Sequence, residues 1–113
     1  MCEKNELNII LKEIVKAYKS VYGDDIVDIL LYGSYARGDY SSDSDVDVVS
    51  IVRGDRADLQ NRLKDVWDVT SDLELEYETI LSPTVIPYDE YIKYKEDLPY
   101  YRNIAKEGVD IVA

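Results

Sequence analysis

The stretch from Leu30 to Ser50, LLYGSYARGDYSSDSDVDVVS, limits the architectures open to this chain more than any other part of it. An apolar strand must stop at Gly33, because Gly33, Ser34, Ala36 and Gly38 are small or conformationally permissive and break the run of Ile, Leu and Val before them. A second strand, SDVDVVSIV, must start close to Asp45 and Asp47. Residues two apart in a strand point to the same side, so these two carboxylates converge on one point. Any fold for the chain therefore has to hold a glycine-serine turn and a carboxylate pair at one end of a sheet.

That combination has a chemistry. A turn with Gly33 and Ser34 lets backbone and a hydroxyl approach a bulky anion, and a turn that leads into a helix presents N–H groups to it. Paired carboxylates beside such a cradle suit Mg²⁺, which takes oxygen ligands from one or two carboxylates and shares the rest with substrate phosphates. The block is thus expected to be a nucleoside triphosphate site. It is not a P-loop, because GSYARGDY lacks the lysine that closes one. It is not an EF-hand either: from Asp43, position 6 is Val48 and position 12 is Gly54, where Gly and Glu are needed.

Around this block the periodicities predict the remaining elements. Leu7, Ile10, Leu11, Ile14, Val15, Tyr18, Val21 and Tyr22 trace one face of an amphipathic helix stopped by Gly23, and DIVDILLYG is the strand that follows. Asp55 caps a second helix carrying Leu59, Leu63, Val66 and Trp67 on one face and ending near Val69. DLELEYETIL alternates strictly and is expected to be a third strand, with Asp72, Glu74, Glu76 and Glu78 on one side; Pro83 interrupts it and TVI continues it after a bulge. Helical segments divided near Pro99 fill Tyr88 to Glu107, and Gly108 precedes a short apolar tail. The fold class expected is α/β (α+β), a small mixed sheet with helices mainly on one face, as a single domain over residues 1–113.

Composition removes several alternatives. With one cysteine and no histidine, a disulfide within the chain and a Cys/His zinc centre are excluded by count. A formal net charge of -11 argues against a nucleic-acid duplex as partner, since duplex affinity comes largely from Lys and Arg on phosphates. No apolar run approaches a membrane span and no leader pattern opens the chain, so a cytoplasmic location is expected. Eleven tyrosines and no phenylalanine read chiefly as packing with the hydroxyl at the surface, and Tyr88, Tyr91, Tyr94, Tyr100 and Tyr101 secondarily as interface candidates.

Gly33-Ser34-Tyr35-Ala36-Arg37-Gly38 followed by Ser44-Asp45-Val46-Asp47 resembles the signature of the DNA polymerase beta nucleotidyltransferase superfamily. The short length, the Ala-Arg-Gly form and LEYETILSPTVIP are similar, more narrowly, to minimal nucleotidyltransferases that act as antitoxins beside HEPN-type ribonuclease toxins. The resemblance implies a polymerase beta-like fold, ATP as substrate and two Mg²⁺ ions held by Asp45 and Asp47. It further implies that Gly33 and Ser34 bind the β- and γ-phosphates, that Arg37 pairs with phosphate or with Asp39 or Asp43, and that Ser44 orients Asp45 or caps the turn. The superfamily's third carboxylate, metal ligand or base for the attacking hydroxyl, falls to one of Asp72, Glu74, Glu76 and Glu78, with Glu76 favoured at mid-strand and Glu74 next. The activity implied is AMP transfer to a hydroxyl, a tyrosine of a HEPN toxin. The alternatives are an antitoxin that neutralises by binding alone and an antibiotic nucleotidyltransferase working as a dimer.

Overall fold

The structure, a computed structural model, describes residues 4–41 and 44–111. Helix α1 (Lys4–Tyr22) leads into β1 (Ile26–Tyr32), the single turn α2 (Ser34–Arg37) and β2 (Val46–Val52). Helix α3 (Arg56–Tyr77) crosses to β3 (Leu81–Pro87), and α4 (Tyr88–Tyr94), α5 (Pro99–Glu107) and β4 (Val109–Asp110) complete the order. Among the described residues the sheet runs β3-β2-β1-β4, with β1 antiparallel to both β2 and β4 and β2 parallel to β3. The expected small mixed sheet is the one that forms.

Both faces of the sheet are covered, which explains why VDVVSIV reads as a nearly continuous apolar run. Val46, Val48 and Val52 face the long helices and pack with Ile10, Ile14 and Tyr18 of α1 and Leu59, Leu63 and Val66 of α3. Val49 and Ile51 face the other way, onto Leu30, Ile86 and Ile104 of α5, with Tyr88, Tyr91 and Tyr101 closing the edge of that smaller cluster. Asp47 shares the parity of Val49 and Ile51, so its side chain emerges on the α4/α5 side, beyond the end of the smaller core.

The expected strand over DLELEYETIL does not form. Residues 72–77 are the last turns of α3, and the third strand is LSPTVIP instead. The residues α3 buries are Leu59, Leu63, Val66, Thr70 and Leu73, spaced four, three, four and three apart, so the helical stripe runs on past Val69. The alternation was an accident of composition: Leu75, which a strand would have buried with Leu73, is 82% exposed. Pro83 lies in β3 because β3 is an edge strand, where a missing N–H breaks no central ladder, and its carbonyl accepts the Trp67 indole N–H at 3.2 Å.

Two of the tyrosines explain themselves in this packing. Tyr18 is fully buried, donates its hydroxyl to the Thr84 carbonyl at 2.7 Å and lies 3.3 Å from that of Val48. Tyr22 stacks on it at 6.3 Å and donates to the Leu59 carbonyl at 2.7 Å. Burial pushes the Tyr18 hydroxyl well above the usual phenol range and that of Tyr22 up to about 12. Phenylalanine would fit the space and leave the strand carbonyl short of a donor. Tyr18→Phe is therefore expected to cost about 1–2 kcal/mol of stability, read as a lower urea midpoint at unchanged slope.

Candidate nucleotide site

The turn after β1 is built around a contact that only glycine permits. Gly33 has φ 76° and ψ -153°, a conformation that side-chain-bearing residues avoid, and a Cβ placed on it would lie 2.5 Å from Oδ2 of Asp47. The missing side chain is the space into which the Asp47 carboxylate is packed. From Gly33 the chain turns at once into α2, whose first N–H groups have no intrahelical acceptor. The amides of Ala36 and Arg37 return to the Gly33 carbonyl at 3.1 Å each, and Gly38 closes the turn in the left-handed region with its N–H on the Ser34 carbonyl at 2.9 Å. Tyr35 is buried beneath the turn and stacks on Tyr40 with ring centroids 4.3 Å apart, fixing the turn against its own exit.

Asp45 is exposed just before β2, and Asp47, one residue inside the strand, is half-buried. Burial, and secondarily the charge of Asp45, hold the Asp47 carboxyl above the usual carboxylate range, while Arg37 partly offsets both. Arg37 itself is exposed and pairs with Asp39 at 3.2 Å and with Glu107, at the end of α5, at 3.4 Å. Its guanidinium thus ties the turn to α5 and contributes positive potential at Asp47. Ser44 is engaged within its own turn: its hydroxyl accepts the Ser41 N–H at 2.8 Å and its N–H reaches the Ser41 carbonyl at 3.1 Å. Asp43, the other partner considered for Arg37, lies outside the described residues.

The neighbours of Asp47 across the sheet are Tyr32 on β1 and Ser82 on β3. Tyr32 meets Tyr100 of α5 edge to face at 6.1 Å, and the Tyr100 hydroxyl bonds the Thr84 side chain within reach of the Asp47 charge. Burial holds that hydroxyl above the usual phenol range, with the Thr84 bond opposing the shift and the charge of Asp47 adding to it. Thr84 on β3 and Tyr100 on α5 are wall residues that no local sequence pattern ties to Asp47.

The strand beside Asp47 on which Glu76 is expected is a helix at that point of the chain, and the strand that pairs with β2 is Leu81–Pro87. Glu76 is exposed on α3, against the Tyr77 hydroxyl; Glu74 is bound to the Leu81 N–H at 2.9 Å; Asp72 is exposed; and Glu78 is the left-handed C-cap of α3 with φ 50°. The β3 positions beside and beyond Asp47 carry hydroxyls, Ser82 and Thr84. Among the described residues no group of three or more Asp, Glu, Cys or His is assembled that could hold a metal. Asp45 and Asp47 still fit a divalent cation by the chemistry of their donors: both are hard carboxylate oxygens, and Asp47 is held against the turn at Gly33.

A mixed sheet with a glycine-serine turn packed on an Asp-x-Asp pair defines the class of protein: a nucleotidyltransferase. The sequence profile of the nucleotidyltransferase domain matches residues 10–111, and the chain belongs to that family. Two curated relatives come from Methanocaldococcus jannaschii. The chain is 36% identical over 98 residues, 87% of this chain and 90% of the other, to the "Putative protein adenylyltransferase MJ0604", and 35% identical over 80 residues, 71% and 79%, to the "Putative protein adenylyltransferase MJ0141". The fold is also that of a chain in a toxin-antitoxin crystal structure with AMP-PNP, at TM-score 0.55 and 14% identity over 88% of this chain and 70% of that one. A mutant of the toxin-antitoxin MntA-HpeT gives TM-score 0.54 and 13% identity over the same shares.

Two outcomes are expected from the Gly33–Asp47 contact. Gly33→Ala should cost about 2 kcal/mol of stability, through both φ and the clash, and should lower nucleotide affinity at least tenfold by calorimetry. Asp47→Asn should raise the melting temperature at neutral pH by a few degrees, equivalent to at most about 1 kcal/mol for a group this exposed. A carboxyl whose folded pKa is raised lends stability below its unfolded pKa and loses it as pH rises through the folded one, so the gain should vanish below about pH 4.

Proposed function

We propose that the chain transfers AMP from Mg²⁺-ATP to a tyrosine hydroxyl of a partner protein, a HEPN-type ribonuclease toxin, and so acts in the cytoplasm as its antitoxin. The observation that supports this reading is the Asp47 carboxylate packed into the vacancy of Gly33, which sets a carboxylate against the turn that opens α2. Support comes from the relatives described as protein adenylyltransferases and from the fold shared with a toxin-antitoxin chain.

In this reading Ser34 and the first amides of α2 hold the β- and γ-phosphates, and Asp45 with Asp47 holds two Mg²⁺ ions. When bound, the ions stabilise the attacking and leaving oxygens of an in-line displacement. Arg37, fixed by Asp39 and Glu107, adds positive potential on the phosphate side. The tyrosine oxygen forms its bond to the α-phosphorus, the bond from that phosphorus to the bridging oxygen breaks, and pyrophosphate leaves. The chain has no histidine to take the phenolic proton, so a carboxylate of the site is the candidate base, with Asp45 and Asp47 beside the proposed metal.

A second reading is favoured by one specific observation, the hydroxyls of Ser82 and Thr84 where a third carboxylate would stand: an antitoxin that neutralises its toxin by binding. One experiment separates the two. Incubated with Mg²⁺-ATP and the toxin encoded beside it, the chain should add the mass of AMP to that toxin and release an equal amount of pyrophosphate. Asp45→Asn/Asp47→Asn should lower the rate at least about 10²-fold, whereas Glu76→Gln should stay within about twofold of the unmodified chain. A toxin that is neutralised at unchanged mass leaves the binding reading in its place.

A further inference from the structure

Helix α1 carries Lys12, Lys16 and Lys19 at i, i+4 and i+7, on one side of the helix. Next to them Leu11 and Val15 turn toward the core, and Ile111, just after β4, forms the opposing wall of a groove of about 540 Å³. Among the described residues no acidic side chain lines this groove, although the chain carries 24 acidic residues against 13 basic ones. The basic side chains are not consumed locally. Lys16 makes one exposed pair with Glu13 at 3.4 Å, and among the described residues Lys12 and Lys19 make none. The groove also belongs to the helical layer over Val46 and Val48, the face opposite to the one from which Asp47 emerges. A bound partner there leaves the nucleotide site clear.

On so acidic a surface, an apolar floor with a lysine rim selects its occupant by charge. We propose that this groove docks an acidic amphipathic segment of the protein that the domain modifies. One or two apolar side chains of the segment enter between Leu11, Val15 and Ile111, and its carboxylates reach Lys12, Lys16 and Lys19. The proposal rests on the reading of the acceptor as a protein and adds where that protein is held. A second copy of this chain, which repels the first at large, and a nucleic acid, which the remaining surface repels, are the competing occupants.

The test uses the full chain with the photo-reactive residue p-benzoylphenylalanine in place of Asn8, which lines the groove and carries no charge. After cross-linking in cells, the captured segment is sequenced, synthesised with a fluorophore and titrated against the unmodified chain without ATP. The expected result is an acidic segment with apolar side chains, whose affinity falls about tenfold in the K12E/K16E/K19E variant and falls steeply with salt. Lys12→Arg, Lys16→Arg and Lys19→Arg together should retain binding, and the Glu variant should bind Mg²⁺-ATP like the unmodified chain. Cross-links to RNA, to a second copy, to a neutral or basic segment or to nothing would overturn the proposal, as would binding indifferent to the three Glu substitutions. Failure of AMP transfer with binding intact would instead remove the enzymatic reading and leave the groove's role standing.

Discussion

The approach of the Asp47 carboxylate to the Cα of Gly33 is the contact on which the rest of this molecule depends. It joins the end of β1 to the start of β2, and because the two strands are antiparallel neighbours it sets turn and carboxylate at the same height above the sheet. The approach is unfavourable in itself. A carboxylate is drawn partly out of water beside a second one, and glycine in an ordered turn loses more chain entropy than any other residue. Such an arrangement persists only where the surrounding structure over-determines it, here through the single turn α2, the Tyr35–Tyr40 stack and two covered sheet faces. In the function proposed above, a cation between carboxylates and phosphates would relieve the same repulsion.

The parts of the fold that could be read in the sequence were those where one periodicity had no rival. In α1 the apolar spacing of three and four admits no strand, and in DVDVVSIV the β-branched run is too short for a helix. LELEYE admitted both. Its alternation of two also satisfies a spacing of four, from Leu73 to Tyr77, and Leu and Glu are good helix formers. What decided between them is tertiary: Thr70 and Leu73 continue the stripe that Leu59, Leu63 and Val66 lay on α1 and the sheet. The strand then fell to LSPTVIP, which its prolines disguised and which its place at the sheet edge allows.

The same distinction divides the candidate site. The turn at Gly33 and its packing against Asp47 could be read because a turn and the start of a strand are local backbone geometry, which spacing encodes. The residues that complete the wall depend on which distant segments the fold brings together. Ser82 and Thr84 arrive from the parallel strand after a helical crossover, and Tyr100 from α5, which no local pattern ties to Asp47. Glu76 was placed by parity on a strand that is a helix, so the error in the element became an error in the site. Since β3 offers hydroxyls beside Asp47, the proposed metal site would depend more on the two aspartates themselves.

The charge of the chain makes the metal and the partner two aspects of one constraint. At -11 the surface repels a free nucleotide triphosphate, and the Arg37 guanidinium, whose charge reaches Asp47, is already shared by Asp39 and Glu107. A nucleotide whose charge is partly neutralised by Mg²⁺ approaches against a weaker field, and screening by salt should assist that approach. An acidic protein partner faces the same long-range repulsion and needs a local exception to it. The lysines of α1 supply that exception on the face away from Asp47, where attraction of a polypeptide does not compete with binding of phosphate. On the two proposals together, separating the attractions would let an acidic domain hold two anionic ligands at once, one through a cation and one through its own lysines.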